Sequence, residues 1–237
     1  RLLRTQANRY PTHRLACSRY AGEWLFGEGA GFDVLYNAIE LDRFPFNAEV
    51  RAEARADLGL VGDELAVGHV GRFMAQKNHT FLLDAFAEVA ARRPDAVLLL
   101  VGAGELRSFV ECRAAERGLA GRVRFLGQRD DVERLYQAFD AFALPSLYEG
   151  LGLVGVEAQR AGLPCLLSDA ITREVDVTGT VRFLPIDEPS AWADALCALR
   201  AGERVPVRPE SFSDYDIDAA AGRLAERYLD LVAGSLR

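Results

Sequence analysis

With 237 residues, half of them hydrophobic, the chain is long enough to bury one large core or about one and a half. A formal net charge of -7 and a pI near 5.1 exclude the broad basic surface on which nucleic-acid binding depends. No apolar stretch approaches the ~20 residues of a membrane-spanning helix. Four widely spaced cysteines, Cys17, Cys112, Cys165 and Cys197, point to reduced, mostly buried thiols in a cytosolic protein rather than a disulfide framework or zinc site. His13, His69 and His79 match no metal-ligand spacing.

The opening run RLLRTQANRY is not a signal peptide, contains no initiator Met and starts in mid-element, so the chain is expected to be a fragment of a longer protein. THRLACS (12–18) predicts a short strand, AGEWLFG (21–27) a helix closed by Gly27, and FDVLYNAIELDRF (32–44) a strand running into an extended linker. A regular alternation follows. Strand 65–71 precedes helix 79–93, whose Phe81, Leu82, Ala85, Phe86 and Val89 recur at helical spacing. Strand 96–102 leads to helix 105–118, strand 122–127 to helix 131–140, and strand AFALP (141–145) to a helix reaching Gly162. Strands 164–169 and 181–185 come next, then helix 190–200 with Ser190 as its cap, a polar loop, and a last helix from Ile217. Strands apolar throughout, alternating with amphipathic helices, predict an α/β, doubly wound parallel sheet covered on both faces.

In such sheets ligands bind beyond the carboxyl ends of the strands. The loop after strand 65–71 carries Gly71, Arg72 and Lys77, a backbone and two cations suited to a pyrophosphate; in isolation they also read as ordinary surface cations. Gly102 and Gly104 form a GxG turn, but Arg107 stands where a dinucleotide fingerprint needs its third glycine, which weakens a nicotinamide or flavin reading. Gly127 and Gln128 offer backbone hydrogen bonds to a base edge, while Asp130 and Asp131 are expected to cap the next helix. Glu149 and Glu157 bracket a strand-to-helix turn, one acid at its mouth and the other about two turns into the helix. Gly150 and Gly152 lie at that helix entrance, where free amides favour a diphosphate and missing side chains allow close approach. Two acids alone fit equally well a solvated pair beside an ordinary turn.

Five runs in this order change that balance: VGHVGRFMAQKNH (67–79), LLLVGAGELR (98–107), VRFLGQRDDV (123–132), LPSLYEGLGLVGVEAQRAGLP (144–164) and SDYDIDAAAGRLAERYL (213–229). Together they resemble the C-terminal half of retaining glycosyltransferases of the two-domain, Rossmann-like B type, family four, above all bacterial enzymes of capsular or exopolysaccharide assembly. QKNH and ITREVD (171–176) are idioms of that group. The resemblance implies that Arg72 and Lys77 grip the diphosphate of a nucleotide sugar, that Glu149 contacts the sugar's hydroxyls and that Glu157 holds the ribose. It further implies that the amides of Gly150, Leu151, Gly152 and Leu153 face sugar and phosphates, with the chain near Gly127 and Gln128 at the base. Arg72, Lys77 and Glu149 are then the catalytic candidates, with no metal required because the cations replace it. Gly150-Leu151-Gly152 and Gln159-Arg160 depart from the commoner forms, which leaves the donor's identity open.

The same resemblance divides the chain into 1–36, the tail of an acceptor-binding domain plus linker; 37–212, the nucleotide-sugar domain; and 213–237, a helix crossing back. The rest of the first domain, well over a hundred residues by the ~100 to 200 of a typical domain, is expected to precede the chain. Its loss would leave Trp24, Leu25, Phe26, Leu224 and Tyr228 partly uncovered, free either to pack on one another or to drive dimerisation. The implied acceptor is a polysaccharide or lipid-linked sugar, and the implied place of work is the cytoplasm, peripheral to the inner face of the membrane. An isolated nucleotide-binding module and a sugar-nucleotide epimerase of the same fold are the competing readings.

Overall fold

Burial on both faces sets the architecture. The computed structural model describes the backbone of residues 2–235 and the side chains of residues 5–233; Arg1, Leu236 and Arg237 of the two predicted end segments lie outside the described residues. In chain order the elements are α1 (Leu2–Arg9), β1 (Leu15–Ala16), α2 (Arg19–Phe26), β2 (Asp33–Val34) and α3 (Ala48–Asp57). Then come β3 (Leu65–Val70), α4 (His79–Arg92), β4 (Ala96–Val101), α5 (Arg107–Glu116), β5 (Val123–Gly127), α6 (Val132–Ala138) and β6 (Ala141–Leu144). The chain continues through α7 (Leu153–Arg160), β7 (Cys165–Ser168), β8 (Arg182–Leu184), α8 (Pro189–Cys197) and α9 (Ile217–Ser235).

The main sheet is wholly parallel with strand order β5-β4-β3-β6-β7-β8. The chain winds outward from β3 to β5, then returns to β6 on the other side, so the direction of winding reverses between β3 and β6. That reversal opens a crevice at the carboxyl edge. Period-two alternation explains why the strands read as unbroken apolar runs: in β4, Ala96, Leu98 and Leu100 join a cluster with Phe86, Val110 and Trp192. Val97, Leu99 and Val101 join the opposite cluster with Tyr136, Val156 and Phe212. Each buried leucine or phenylalanine contributes about 1.5–3 kcal/mol.

The opposite, amino edge is pinned by Asp140, which is fully buried. Its carboxylate accepts from Arg51 at 2.6 Å, Arg55 at 3.1 Å, the Ala66 amide at 2.8 Å and the Gly202 amide at 2.7 Å. Four donors compensate the desolvation of one charge.

Several expectations need correction. Among the described residues the strands anticipated over 12–18 and 32–44 shrink to two residues each, paired with one another, and Ile39 adds only an isolated bridge to Asp216. Residues 45–64, left unassigned by the sequence patterns, contain α3, capped by the Asn47 side chain, which accepts from the Glu49 and Val50 amides. Ser190 is not a cap: Pro189 begins α8, as its fixed φ allows, and Ser190 falls inside the first turn. Asp131 stands at the N-cap of α6 without capping, since both its oxygens are held by Arg129 at 2.7 Å, and Asp130 lies one residue earlier.

Candidate functional site

The loops after β3, β4 and β5 are laced into one unit. Gly71 donates to Val101 O at 2.9 Å, Phe73 to Ala103 O at 2.9 Å and Gly102 to Gly127 O at 2.8 Å. A Cβ on Gly102 would sit 2.1 Å from Gly71 O, and one on Gly104 would sit 2.4 Å from Phe73 O. The GxG turn is therefore required for one main chain to cross another, whatever else it binds. Gly127 closes β5 in the left-handed region at φ 71, followed by an exposed Gln128.

The two cations of the first loop have unlike surroundings. Arg72 is 70% exposed and reaches Glu105 at 3.5 Å. Lys77 ends a short 3-10 turn over Ala75–Lys77, and Asn78, left-handed at φ 53, turns the chain into α4. The Lys77 ammonium lies 2.6 Å from Glu149 Oε1, with both side chains mostly buried. Gln76 completes the clamp, donating to Glu149 Oε2 at 3.2 Å and to Tyr148 O at 2.8 Å, while its own carbonyl accepts from Leu147. Thus the β3 and β6 loops meet at the crevice with both oxygens of Glu149 engaged.

Beneath Lys77 lie two imidazoles. His69 Nδ1 is 2.8 Å from Ala143 O, so that nitrogen carries the proton. His79 stacks on Phe73 with ring centres 4.3 Å apart. Burial, then the charge of Lys77, lowers His79 to about 4; burial and the neighbouring His79 also push His69 well below its ordinary value. Both are neutral at pH 7, and positive charge on this loop resides on Arg72 and Lys77.

After Glu149 the chain enters α7 through Gly150, Leu151 and Gly152. Leu151 is buried in the core. Gly152 takes φ 83 at the N-cap, a conformation that favours glycine. Among the described residues the amides of Gly150, Leu151 and Gly152 donate no hydrogen bond, which, with the first-turn amide of Leu153, leaves donors of the kind an anion can use at this helix entrance. Glu157 is the fifth residue of α7, little more than one turn in rather than the two expected, because the glycine turn delays the helix start. Its Oε2 accepts from the Tyr136 hydroxyl at 2.8 Å. Burial raises its pKa above the usual carboxylate range, against the lowering influence of Tyr136 and Arg43.

The N-terminal segment docks on the same edge. Ser18 caps α2 by accepting from Ala21, and its hydroxyl donates to Gly150 O. Glu174, in the loop after β7, accepts from the amides of Arg19 and Tyr20 at 2.9 and 3.2 Å and from the hydroxyls of Thr172 and Tyr36 at 3.0 and 3.1 Å. Burial alone would raise Glu174, but these donors outweigh it and hold the carboxyl below its usual value. A cavity of about 560 Å³ opens between α2 and the Glu149 loop, lined by Tyr20, Trp24, Leu25 and Tyr148 among others. Trp24 and Tyr228 are exposed, whereas Leu25, Phe26 and Leu224 are half-buried.

Lys77, Glu149 and the turn that follows it thus lie together at the carboxyl edge, with Arg72 exposed on the β3 loop and Glu157 further along α7. Gln76, Tyr136, Ser18 and Glu174 escaped the sequence reading. Gln76 and Glu174 stood inside quoted idioms without a role, and Tyr136 reads as a plain core aromatic. No helix of the described residues is long and apolar enough to cross a membrane.

Residues 64–201 match the family model described as Glycosyl transferases group 1. The chain is 41% identical over 195 residues to a Bacillus subtilis protein named as glycosyltransferase EpsF, covering 80% of this chain and 51% of that one. It is 32% identical over 148 residues to the Escherichia coli UDP-Gal:alpha-D-GlcNAc-diphosphoundecaprenol alpha-1,3-galactosyltransferase, covering 61% of this chain and 38% of that one. Among solved structures, sucrose-phosphate synthase from Thermosynechococcus elongatus superimposes with a TM-score of 0.77 at 26% identity, over 98% of this chain and 62% of that chain. The chain spans about half the length of EpsF and less of the galactosyltransferase.

Proposed function

The chain belongs to the glycosyl transferases group 1 family, and from that premise and the crevice described above we propose that it is the donor-binding part of an enzyme transferring a sugar from a nucleoside diphosphate sugar to an acceptor hydroxyl with retention. The observation carrying this reading is the Lys77–Glu149 contact, which joins a cation and a hydroxyl acceptor across the two loops flanking the switch in strand order. As the bond from the anomeric carbon to the diphosphate breaks, negative charge gathers on the phosphates. Arg72, Lys77 and the open amides leading into α7 stabilise it, with no metal required because the cations replace it. Glu149, oriented by Gln76 and Lys77, accepts from the sugar's hydroxyls, and Glu157 accepts from the ribose. No carboxylate acts as a covalent nucleophile; the acceptor hydroxyl attacks from the face the diphosphate leaves, its oxygen bonding to the anomeric carbon as the bond to the diphosphate breaks and its proton passing to the departing diphosphate oxygen.

The similarity to EpsF and to a galactosyltransferase named for a UDP-Gal donor and an alpha-D-GlcNAc-diphosphoundecaprenol acceptor favours two further choices. The donor carries uridine, and the acceptor is a lipid-linked or growing surface polysaccharide reached from the cytoplasmic side of the membrane. Calorimetry with uridine, guanosine and adenosine diphosphates and their glucose or mannose derivatives tests the reading. One base should bind clearly better than the others, and Glu149→Gln should weaken the sugar nucleotide while sparing the bare diphosphate. Equal indifference of the chain to all six ligands would refute it.

A further inference from the structure

We propose that Tyr136 is a positioning residue for Glu157, its buried hydroxyl aiming the carboxylate that receives the ribose. This rests on the assignment of Glu157 just made. The ring of Tyr136 has no exposed surface and is boxed in by Phe44, Phe139 and Phe142, with ring centres 6.0, 5.9 and 5.8 Å away. Its oxygen is therefore a fixed point anchored in α6, against which a side chain of α7 is held.

That oxygen faces two acceptors, Glu157 Oε2 at 2.8 Å and the Val154 carbonyl at 3.1 Å, but a phenol has one hydrogen to give. An ionised carboxylate is the stronger acceptor as well as the nearer one, so it takes the hydrogen. Once Glu157 is protonated, its own O–H can donate to the phenol oxygen and the phenol hydrogen can turn to Val154. One hydroxyl thus serves both protonation states, but only the ionised one leaves Glu157 with full charge for a ribose hydroxyl. The groups facing Glu157 are few. Arg43, from the turn preceding α3, favours the charged form while paired to Glu133 at 2.8 Å, Glu133 of α6 opposes it, and burial opposes it most. Tyr136 is the largest influence in favour of charge. Cys165 of β7 faces the phenol from behind, and the phenol itself stays protonated far above pH 7 because it is buried.

Tyr136→Phe keeps the ring and removes only the donor. The test is calorimetric titration of the full 237-residue chain with uridine, guanosine and adenosine diphosphate from pH 8 to pH 5, for wild type, Tyr136→Phe and Glu157→Gln. Diphosphate oxygens titrate in this range too, but identically for every protein, so the ratio of affinities isolates the side chains. Relative to wild type, Tyr136→Phe should lose about fivefold at pH 8 and roughly a further fivefold by pH 5, since each unit of carboxyl shift is a factor of ten. Placing 3-fluorotyrosine at position 136, a near-isosteric and stronger donor, should move the profile the other way and provides the test even where the phenylalanine variant does not fold. A Tyr136→Phe loss that is the same at every pH, or a fluorotyrosine profile that coincides with wild type, would overturn the positioning role. If Glu157→Gln alone matches wild type, the ribose assignment fails, and if wild type binds none of the three diphosphates, the proposed function fails; either takes this inference with it.

Discussion

Glu149 and Glu157 lie on one turn-and-helix segment yet are held by opposite means. Glu149 is gripped from another loop by a flexible ammonium and an amide, both of which a ligand can draw away or share. Glu157 is held from below by a rigid phenol set in the core. Under the proposed function the contrast suits two tasks: a sugar contact that has to adapt as the glycosidic bond breaks, and a ribose contact that is set before the ligand arrives.

The most damaging way to break the adaptable side is to remove Lys77. Lys77→Met leaves the Glu149 carboxylate largely buried without its counter-charge, which should lower stability by about 3 kcal/mol and nucleoside diphosphate affinity by more than tenfold. Denaturant unfolding of Lys77→Met and of the double variant with Glu149→Gln measures this. The second change should recover most of the stability and none of the affinity, and equal instability of both variants would show that the loss does not come from an uncompensated Glu149 charge. Arg72 sharpens the comparison because its side chain is open to solvent. Arg72→Ala should leave unfolding unchanged while reducing diphosphate affinity about tenfold, the loss of one charge-assisted hydrogen bond. Unchanged affinity by calorimetry would return Arg72 to the status of a surface cation.

The smallest effect concerns the N-terminal segment. Glu174 has its pKa lowered in the folded state, so the docking energy it contributes is complete above the unfolded value near 4.3 and is lost as pH falls through the lower, folded one. Because this carboxylate is partly open to solvent, the contribution is below ~1 kcal/mol. Amide resonances of Arg19 and Tyr20 should therefore shift together below about pH 4 while those of β4 stay still. Joint movement of both sets would mean global acid unfolding rather than release of α2.

Sequence patterns made the sheet legible because strands buried on both faces read as solid apolar runs, as in β4. The α3 helix was not legible, since AEVRAEARAD carries no apolar stripe and its inward face is made by Ala54 and Arg55. Within the site, the glycine turn and its flanking acids were visible as spacing along the chain. Contacts across it were not: Lys77 and Glu149 are 72 residues apart, and Tyr136 to Glu157 spans two helices. No periodicity encodes such pairings, which arise only when the sheet brings its loops to one edge. Nor could the glycines of the GxG turn be assigned to chain crossing before the crossing was seen.

Asp140 and its four donors stand at the edge of the sheet away from all of this. Anchorage and chemistry therefore occupy opposite ends of the same strands. If the proposed function holds, one sugar can be exchanged for another by altering the crevice loops, drift there being insulated from the buried carboxylate that ties α3, β3 and the loop after α8 together.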